Sequence, residues 1–383
     1  MWIPPSVFVA RFLPVRRQLR IGPNALTQSG CIIKPSSVSA IGSSTTGYRE
    51  RRASLPRLKQ YGLFVGALSA QGLQQVASFR KNAVGGLRLQ DGHAAELETE
   101  SPQVPEERFA TLGDGRVRFL QAGAGQPLVL LHGLLGYSFS WRLNITALAQ
   151  HRKVLALDQL GVGFSDHPQD LDCAMRAVAM RTIAFIDQQA PEKFDLLGTS
   201  HGGAIAMWVA ALLAERGDRR LQRLILSAPA NPWSPHGRLL APFFAQRPIS
   251  VALRSTLPRA SFAWGFFIRR LYANAGRMPP GTVEGYSAAL AVDRSWDYGF
   301  GVLETWLEDL ETLKSLLPAL SDVPTLLIWG DADPAVYLES AEPLREHFRK
   351  CEYVTMSGVG HLPYEEAPED FNRIVTEFLL RPI

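Results

Sequence analysis

Cysteine is scarce: Cys31, Cys173 and Cys351 are scattered over 383 residues with no Cys-x-x-Cys pair. An odd, dispersed set excludes a disulfide framework and a thiolate zinc site, and leaves three unpaired structural residues. Acid is scarce at one end. Residues 1–90 hold 13 Lys/Arg and the single acid Glu50, a balance of +12, whereas the rest hold 27 bases and 35 acids, a balance of −8 within the overall +4. The basic character therefore belongs to a leader, and with no recognition motif beside it a nucleic-acid partner is excluded. Long apolar runs are lacking too. The uncharged stretch 61–79 is interrupted by Gln71, Gln74 and Gln75, which makes it a poor membrane span.

The leader itself is rich in Ser, Pro, Gly and Arg over residues 1–60, with no sustained apolar period. That composition reads as a transit peptide. After Arg51-Arg52 the stretch 61–79 also reads as a weak export signal or a loose helix. A third reading is an over-extended reading frame, which would need an alternative start codon because no methionine stands between Met1 and Met175. In each case residues 1–105 are expected to be poorly ordered and to take no part in chemistry. A true signal would make the protein organellar or exported; otherwise it is expected in the cytoplasm.

Beyond the leader the pattern is ordinary for a well-cored globular enzyme, and the whole chain is 46% hydrophobic and 20% charged. Arg108-Phe-Ala-Thr-Leu and Arg116-Val-Arg-Phe-Leu, joined through Gly113-Asp114-Gly115, predict a hairpin on an Asp-Gly turn. Apolar runs at 128–131, 154–157, 195–197, 224–226, 325–329 and 353–355 predict strands buried on both faces. Helix-length segments at 175–189 and 204–215 lie between them. Strands alternating with helices predict an α/β fold: a mostly parallel central sheet flanked by helices, with ligands at the carboxyl ends of the strands. Residues 232–320 break this rhythm and predict a helical cap inserted between two core strands, with the core in residues 106–231 and 321–383.

Gly198-Thr199-Ser200-His201-Gly202 fits G-x-S-x-G, with a strand pattern entering it and a strong helix pattern leaving it. Such a turn lifts a serine hydroxyl above the sheet and aims a helix N-terminus at a developing oxyanion. Ser200 is the candidate nucleophile. Serine needs a base held by a third group. Of eight histidines, His361, in Gly358-Val-Gly-His361-Leu-Pro, sits between the last strand and the final helix, at the sheet's active edge. The acid is expected between serine and histidine in chain order. Trp329-Gly-Asp331-Ala-Asp333-Pro334 supplies it, with Asp333 first and Asp331 as the fallback or a turn residue. Two backbone donors complete the set: His201, after the nucleophile, and Leu134, in Leu131-His132-Gly133-Leu134-Leu135-Gly136. No metal or cofactor is required.

Together these residues resemble the α/β-hydrolase superfamily, in the branch of epoxide hydrolases, haloperoxidase-like esterases and carbon–carbon bond hydrolases. The resemblance rests on His132-Gly133, Asp158-Gln-Leu-Gly161-Val-Gly163-Phe-Ser165, the 198–202 turn, Gly330-Asp-Ala-Asp333 and Gly360-His361-Leu-Pro-Tyr-Glu365, across residues 107–383. It implies that the loop 158–165 shapes the site without acting in catalysis. It also implies that Ser200, where epoxide hydrolases and haloalkane dehalogenases carry aspartate, moves the chemistry from epoxides and alkyl halides to acyl transfer. The expectation is an ester-cleaving serine hydrolase acting on a small acyl substrate. Carbon–carbon hydrolysis, a cofactor-free haloperoxidase or perhydrolase, and a non-catalytic receptor are the alternatives.

The cap is distinctive in composition. Residues 231–283 contain seven arginines (238, 247, 254, 259, 269, 270 and 277) and no Asp, Glu or Lys, interleaved with Trp233, Phe243, Phe244, Phe262, Trp264, Phe266, Phe267 and Tyr272. The aromatics predict an apolar or aromatic substrate. Three readings of the arginines stand: a solvated face, peripheral contact with an anionic membrane, and recognition of an anionic substrate group.

Overall fold

The computed structural model describes residues 104–256 and 261–382. The basic leader, Cys31, Arg259 and the side chain of Phe262 lie outside the described residues. Eight strands form one sheet: β1 (Glu106–Leu112), β2 (Gly115–Ala122), β3 (Pro127–Leu131), β4 (Lys153–Leu157), β5 (Phe194–Thr199), β6 (Leu221–Ser227), β7 (Thr325–Gly330) and β8 (Cys351–Met356). Their order is β1-β2-β4-β3-β5-β6-β7-β8. The first two pairings are antiparallel and every other one is parallel.

The α/β expectation holds, with local differences. The hairpin turn is Gly113-Asp114, because Gly115, at φ +151°, already pairs with Leu112. Strands β3 to β7 are almost wholly buried, as the unbroken apolar runs require. Strand β8 is only half buried: it is the sheet's last strand, with a neighbour on one side. Helices α1 (Met175–Gln189) and α2 (His201–Glu215) pack on the sheet, α2 with every residue from His201 to Leu213 buried. The two described cysteines are unpaired, and burial pushes each thiol up to about 11, which keeps them protonated and inert.

Between β6 and β7 the chain leaves the sheet and forms α3 (Pro235–Ala245), α4 (Arg247–Thr256), α5 (Ser261–Arg269), α6 (Thr282–Leu290) and α7 (Ser295–Leu316). After β8 it closes with α8 (Pro368–Leu380), whose Phe371, Val375, Phe378 and Leu379 face the core at helical spacing. Among the described residues no helix is long and apolar enough to cross a membrane.

The carboxylate of Asp195, at the start of β5, is fully buried. It accepts a 3.0 Å hydrogen bond from Arg152 Nε, and Arg223 Nη1 lies 3.6 Å away. Burial raises the Asp195 pKa and the two guanidinium groups oppose the rise. Removing the acid strands two nearly buried cations. Asp195→Ala is therefore expected to lower unfolding free energy by about 3–5 kcal/mol in urea denaturation; a loss under about 1 kcal/mol would show that the pair contributes little.

Candidate active site

Ser200 joins β5 to α2 at φ +51° and ψ −121°, a backbone conformation rare for a residue with a side chain. The surroundings force it. Ser200 N–H donates to the Ser227 carbonyl at 3.0 Å, and the Ser200 carbonyl accepts from Gly203, Ala204 and Ala230 at 2.9, 3.2 and 2.9 Å. No side chain fits beside it. A Cβ on Gly198 would lie 2.3 Å from the Gly202 carbonyl oxygen, and one on Gly202 would lie 2.3 Å from that of His132. The motif glycines thus let strand, turn and helix close up, and α2 begins at His201, directly after the serine.

The turn after β3 abuts this serine: a Cβ built on Gly133 would stand 3.3 Å from Ser200 Cβ and 3.9 Å from its hydroxyl. His132 braces that turn. Its Nδ1 lies 2.8 Å from the Gly133 carbonyl and its Nε2 accepts the Gln159 N–H at 3.1 Å, which assigns the proton to Nδ1. Asp158 braces the same region, its buried carboxylate accepting from Ser138 N–H at 2.7 Å, Phe164 N–H at 3.1 Å and Arg118 Nη1 at 3.1 Å. Loop 158–165 is thus held by its own hydrogen bonds, in keeping with a structural role.

Asp333 and His361 come from the loops after β7 and β8. His361 Nδ1 and Asp333 Oδ2 are 2.8 Å apart and buried. Asp333 Oδ1 accepts the N–H groups of Ala335 and Val336 at 2.8 and 2.9 Å, so the carboxylate is fixed before it meets the imidazole. Asp331 is exposed and accepts from Ser357 Oγ and Gly358 N–H at 3.0 and 2.7 Å, the turn role left open for it. Ser200, Leu134 and His361 line one cavity of about 230 Å³. Among the described residues Ser200 forms no hydrogen bond to His361. In unliganded sites such bonds commonly tighten only with substrate.

Two residues that sequence reasoning left without a role secure this arrangement. The buried Glu365 carboxylate accepts from Arg142 Nη2 at 2.9 Å, from Tyr272 at 2.6 Å and from Tyr286. The next carboxylate, Glu366, accepts from Gly360, Ala273 and Asn274 N–H at 2.8, 3.0 and 2.9 Å. His361 N–H itself donates to the Leu271 carbonyl at 2.7 Å. The helical insertion is bonded onto the histidine loop through these groups. Burial, then the adjoining Glu365, push the Tyr286 hydroxyl well above its ordinary range, so it stays a donor, and it is hydrogen-bonded to Ser140 at 3.0 Å on the cavity wall. In the sequence Glu365 stood only as the end of the Gly360–Glu365 motif, with Glu366 beside it and no role given to either.

The seven arginines divide. Arg254 pairs with Asp297 and Glu304 at 3.1 and 3.3 Å, Arg277 with Glu366 at 3.7 Å, and Arg238 bonds the Pro232 carbonyl. None of the described ones lines the Ser200 cavity, which disfavours substrate recognition by arginine there.

The doubly covered parallel sheet, the serine at its carboxyl edge and the histidine–aspartate pair beside it define a hydrolase of α/β architecture. The chain belongs to the alpha/beta hydrolase fold family, whose model matches residues 126–368. It is 26% identical to the 2-hydroxymuconate semialdehyde hydrolase of Pseudomonas sp. strain CF600 over 73% of this chain and 95% of that protein. It is 28% identical to haloalkane dehalogenase 2 of Mycobacterium tuberculosis strain H37Rv over 73% and 97%. Among solved structures it is similar to a thermophilic esterase from Thermogutta terrifontis, with TM-score 0.59 and 26% identity over 73% and 98% of the two chains.

His201 has a fully buried ring, stacked on Trp306 at 6.0 Å, and its Nε2 has no hydrogen-bond partner among the described residues. Burial, with His132 nearby, pushes this imidazole down to about 3 from 6.5. The unfolded chain thus takes up a proton that the folded chain refuses. The stability His201 contributes is intact above pH 6.5 and is lost as pH falls from there toward 3, by up to about 1.4 kcal/mol per pH unit. His201→Phe is expected to flatten the fall of the urea midpoint between pH 6 and 4. An unchanged slope would mean that other groups carry the acid sensitivity.

Proposed function

We propose that the protein is a serine hydrolase of carboxylic esters with an apolar or aromatic acyl group, acting through an acyl-enzyme. The observation that carries this reading is the buried 2.8 Å pair of His361 and Asp333 beside the cavity that Ser200 faces. Ser200 Oγ attacks the carbonyl carbon while His361 Nε2 takes its proton. The Leu134 and His201 amides receive the oxyanion, and His361 then delivers the proton to the leaving oxygen. Water, deprotonated by His361, releases the acid. Asp333 keeps the His361 proton on Nδ1, so that Nε2 is free to act as base.

The ester preference rests on the walls. No Lys or Arg stands among the described residues lining the Ser200 cavity, whose hydroxyl-bearing walls are Ser140, Ser234, Tyr286 and Tyr364. A second chamber of about 320 Å³, lined almost wholly by apolar groups including Phe244, Leu253 and Phe300, shares Leu134, Leu135, Trp264 and Phe267 with the first. These shared apolar walls support an acyl chain extending from Ser200 toward the second chamber. Carbon–carbon bond hydrolysis on the same three residues is the second reading, favoured by the similarity to the semialdehyde hydrolase. The absence of a basic side chain from the described cavity wall weighs against an anionic substrate.

Fluorophosphonate labelling and a p-nitrophenyl ester series from acetate to decanoate test this reading. Ser200→Ala is expected to abolish labelling and to lower kcat by about 10³-fold or more, and Asp333→Asn by about 10³–10⁴-fold. In the wild type kcat/KM is expected to rise with acyl length until the second chamber is full. Equal turnover by Ser200→Ala would refute the mechanism. Peroxide-dependent halogenation without ester cleavage would favour a haloperoxidase. No turnover at all would favour a receptor.

A further inference from the structure

Exposed large apolar side chains collect at one place on the helical insertion. Phe243 is 52% exposed, Phe266 64% and Phe267 51%. Contacts tie Phe243 and Phe267 to the second chamber, and Phe266 is the neighbour of Phe267 in the chain. Phe243 meets Phe244 edge-on at 5.3 Å, Trp264 stacks on Phe267 at 5.3 Å, and Phe244, Trp264 and Phe267 all line that chamber. A rim of half-exposed phenylalanines around an apolar opening is unfavourable in water unless something covers it.

Arginines stand on or beside the same helices. Arg247, Arg269 and Arg270 are exposed, and among the described residues none of them forms an ion pair. The Arg270 guanidinium instead lies 5.5 Å from the Phe266 ring centroid. Residues 231–283 hold no acid of their own, and the exposed Glu284 that follows them forms no ion pair among the described residues. The other described arginines of this segment are engaged elsewhere, Arg254 and Arg277 with carboxylates and Arg238 with a backbone carbonyl.

We propose that this rim docks on the surface of an anionic lipid bilayer, and that the substrate is a lipid ester whose acyl chain enters the second chamber from the membrane; the substrate half rests on the ester reading above. Arginines beside partly inserted phenylalanines match the two layers of such a surface, phosphate outside and hydrocarbon within. Phe267, Trp264 and Leu134 line both the second chamber and the cavity of Ser200, and in this proposal the acyl chain passes them to reach the nucleophile. A second copy fits worse as the occupant, because a symmetric contact would set these arginines against each other.

The test uses the full chain carrying Ser200→Ala, so that lipid is bound and not consumed, in co-sedimentation with phosphatidylcholine vesicles with and without phosphatidylglycerol. Binding is expected to the anionic vesicles and to weaken with salt. Arg269→Glu with Arg270→Glu, and separately Phe243→Ser with Phe266→Ser, are each expected to reduce that binding at least tenfold, since one basic residue near an anionic surface contributes about fivefold. The same pairs in the Ser200 chain are expected to leave p-nitrophenyl acetate turnover unchanged, which shows that they fold. Variants that bind as tightly as the parent would overturn the proposal and assign binding to the basic leader or another face. Absence of binding to either vesicle would also overturn it. Variants that abolish a dimer and leave vesicle binding intact would assign the rim to self-association. Because binding is measured without catalysis, it can fail while ester turnover stands, or stand while ester turnover fails.

Discussion

The backbone of Ser200, at φ +51°, is the constraint on which the rest of the site is built. A non-glycine residue held there costs on the order of 1–3 kcal/mol and persists only where its surroundings over-determine it. Here β5 brings the chain in, α2 leads it away, and hydrogen bonds to Ser227 and Ala230 tie the turn to the β6 strand and the loop after it. Gly198 and Gly202 permit that closeness because a methyl group at either would overlap a neighbouring carbonyl oxygen. The serine hydroxyl therefore stands clear of the sheet, with the turn after β3 against it.

A second constraint couples the two halves of the molecule. His361 is placed from the sheet side by β8 and from the insertion side by Leu271, and the neighbouring Gly360 packs so closely that a Cβ there would lie 2.5 Å from the Ala273 nitrogen. Glu365 and Glu366 complete the attachment. Buried carboxylates are tolerable only when hydrogen-bonded, and these two take up backbone and side-chain donors from residues 272 to 286. The insertion consequently does more than cover the cavity: it helps to hold the histidine loop in place.

The cavity shows a gradient of polarity. Ser140 and Tyr286 form a polar side backed by Glu365 and Arg142, whereas the second chamber, beyond Leu134 and Trp264, offers almost nothing but hydrocarbon and rings. A substrate with one polar and one long apolar end fits that gradient better than one that is polar throughout, because unpaired polar groups in the apolar chamber would lose hydration without compensation. On the same insertion, exposed phenylalanines stand near arginines, as where Arg270 lies over the Phe266 ring.

Local pattern made much of this legible. Unbroken apolar runs announced the buried strands, G-x-S-x-G between a strand and a helix announced the turn at Ser200, and the order serine, aspartate, histidine nominated Asp333 and His361. Between Asp331 and Asp333 the sequence expressed only a preference; the geometry separates them by giving Asp331 to a turn and Asp333 to the imidazole. The roles of Glu365, Glu366 and the bracing ring of His132 and the sorting of the arginines into paired and free were not legible, because they depend largely on partners distant along the chain, up to 223 residues away. Motif spacing is a property of neighbours in sequence, and it determined the strand–turn–helix at Ser200 and the α/β-hydrolase class. Burial, pairing and the shape of the cavity are properties of neighbours in space, and only the packed insertion decided them.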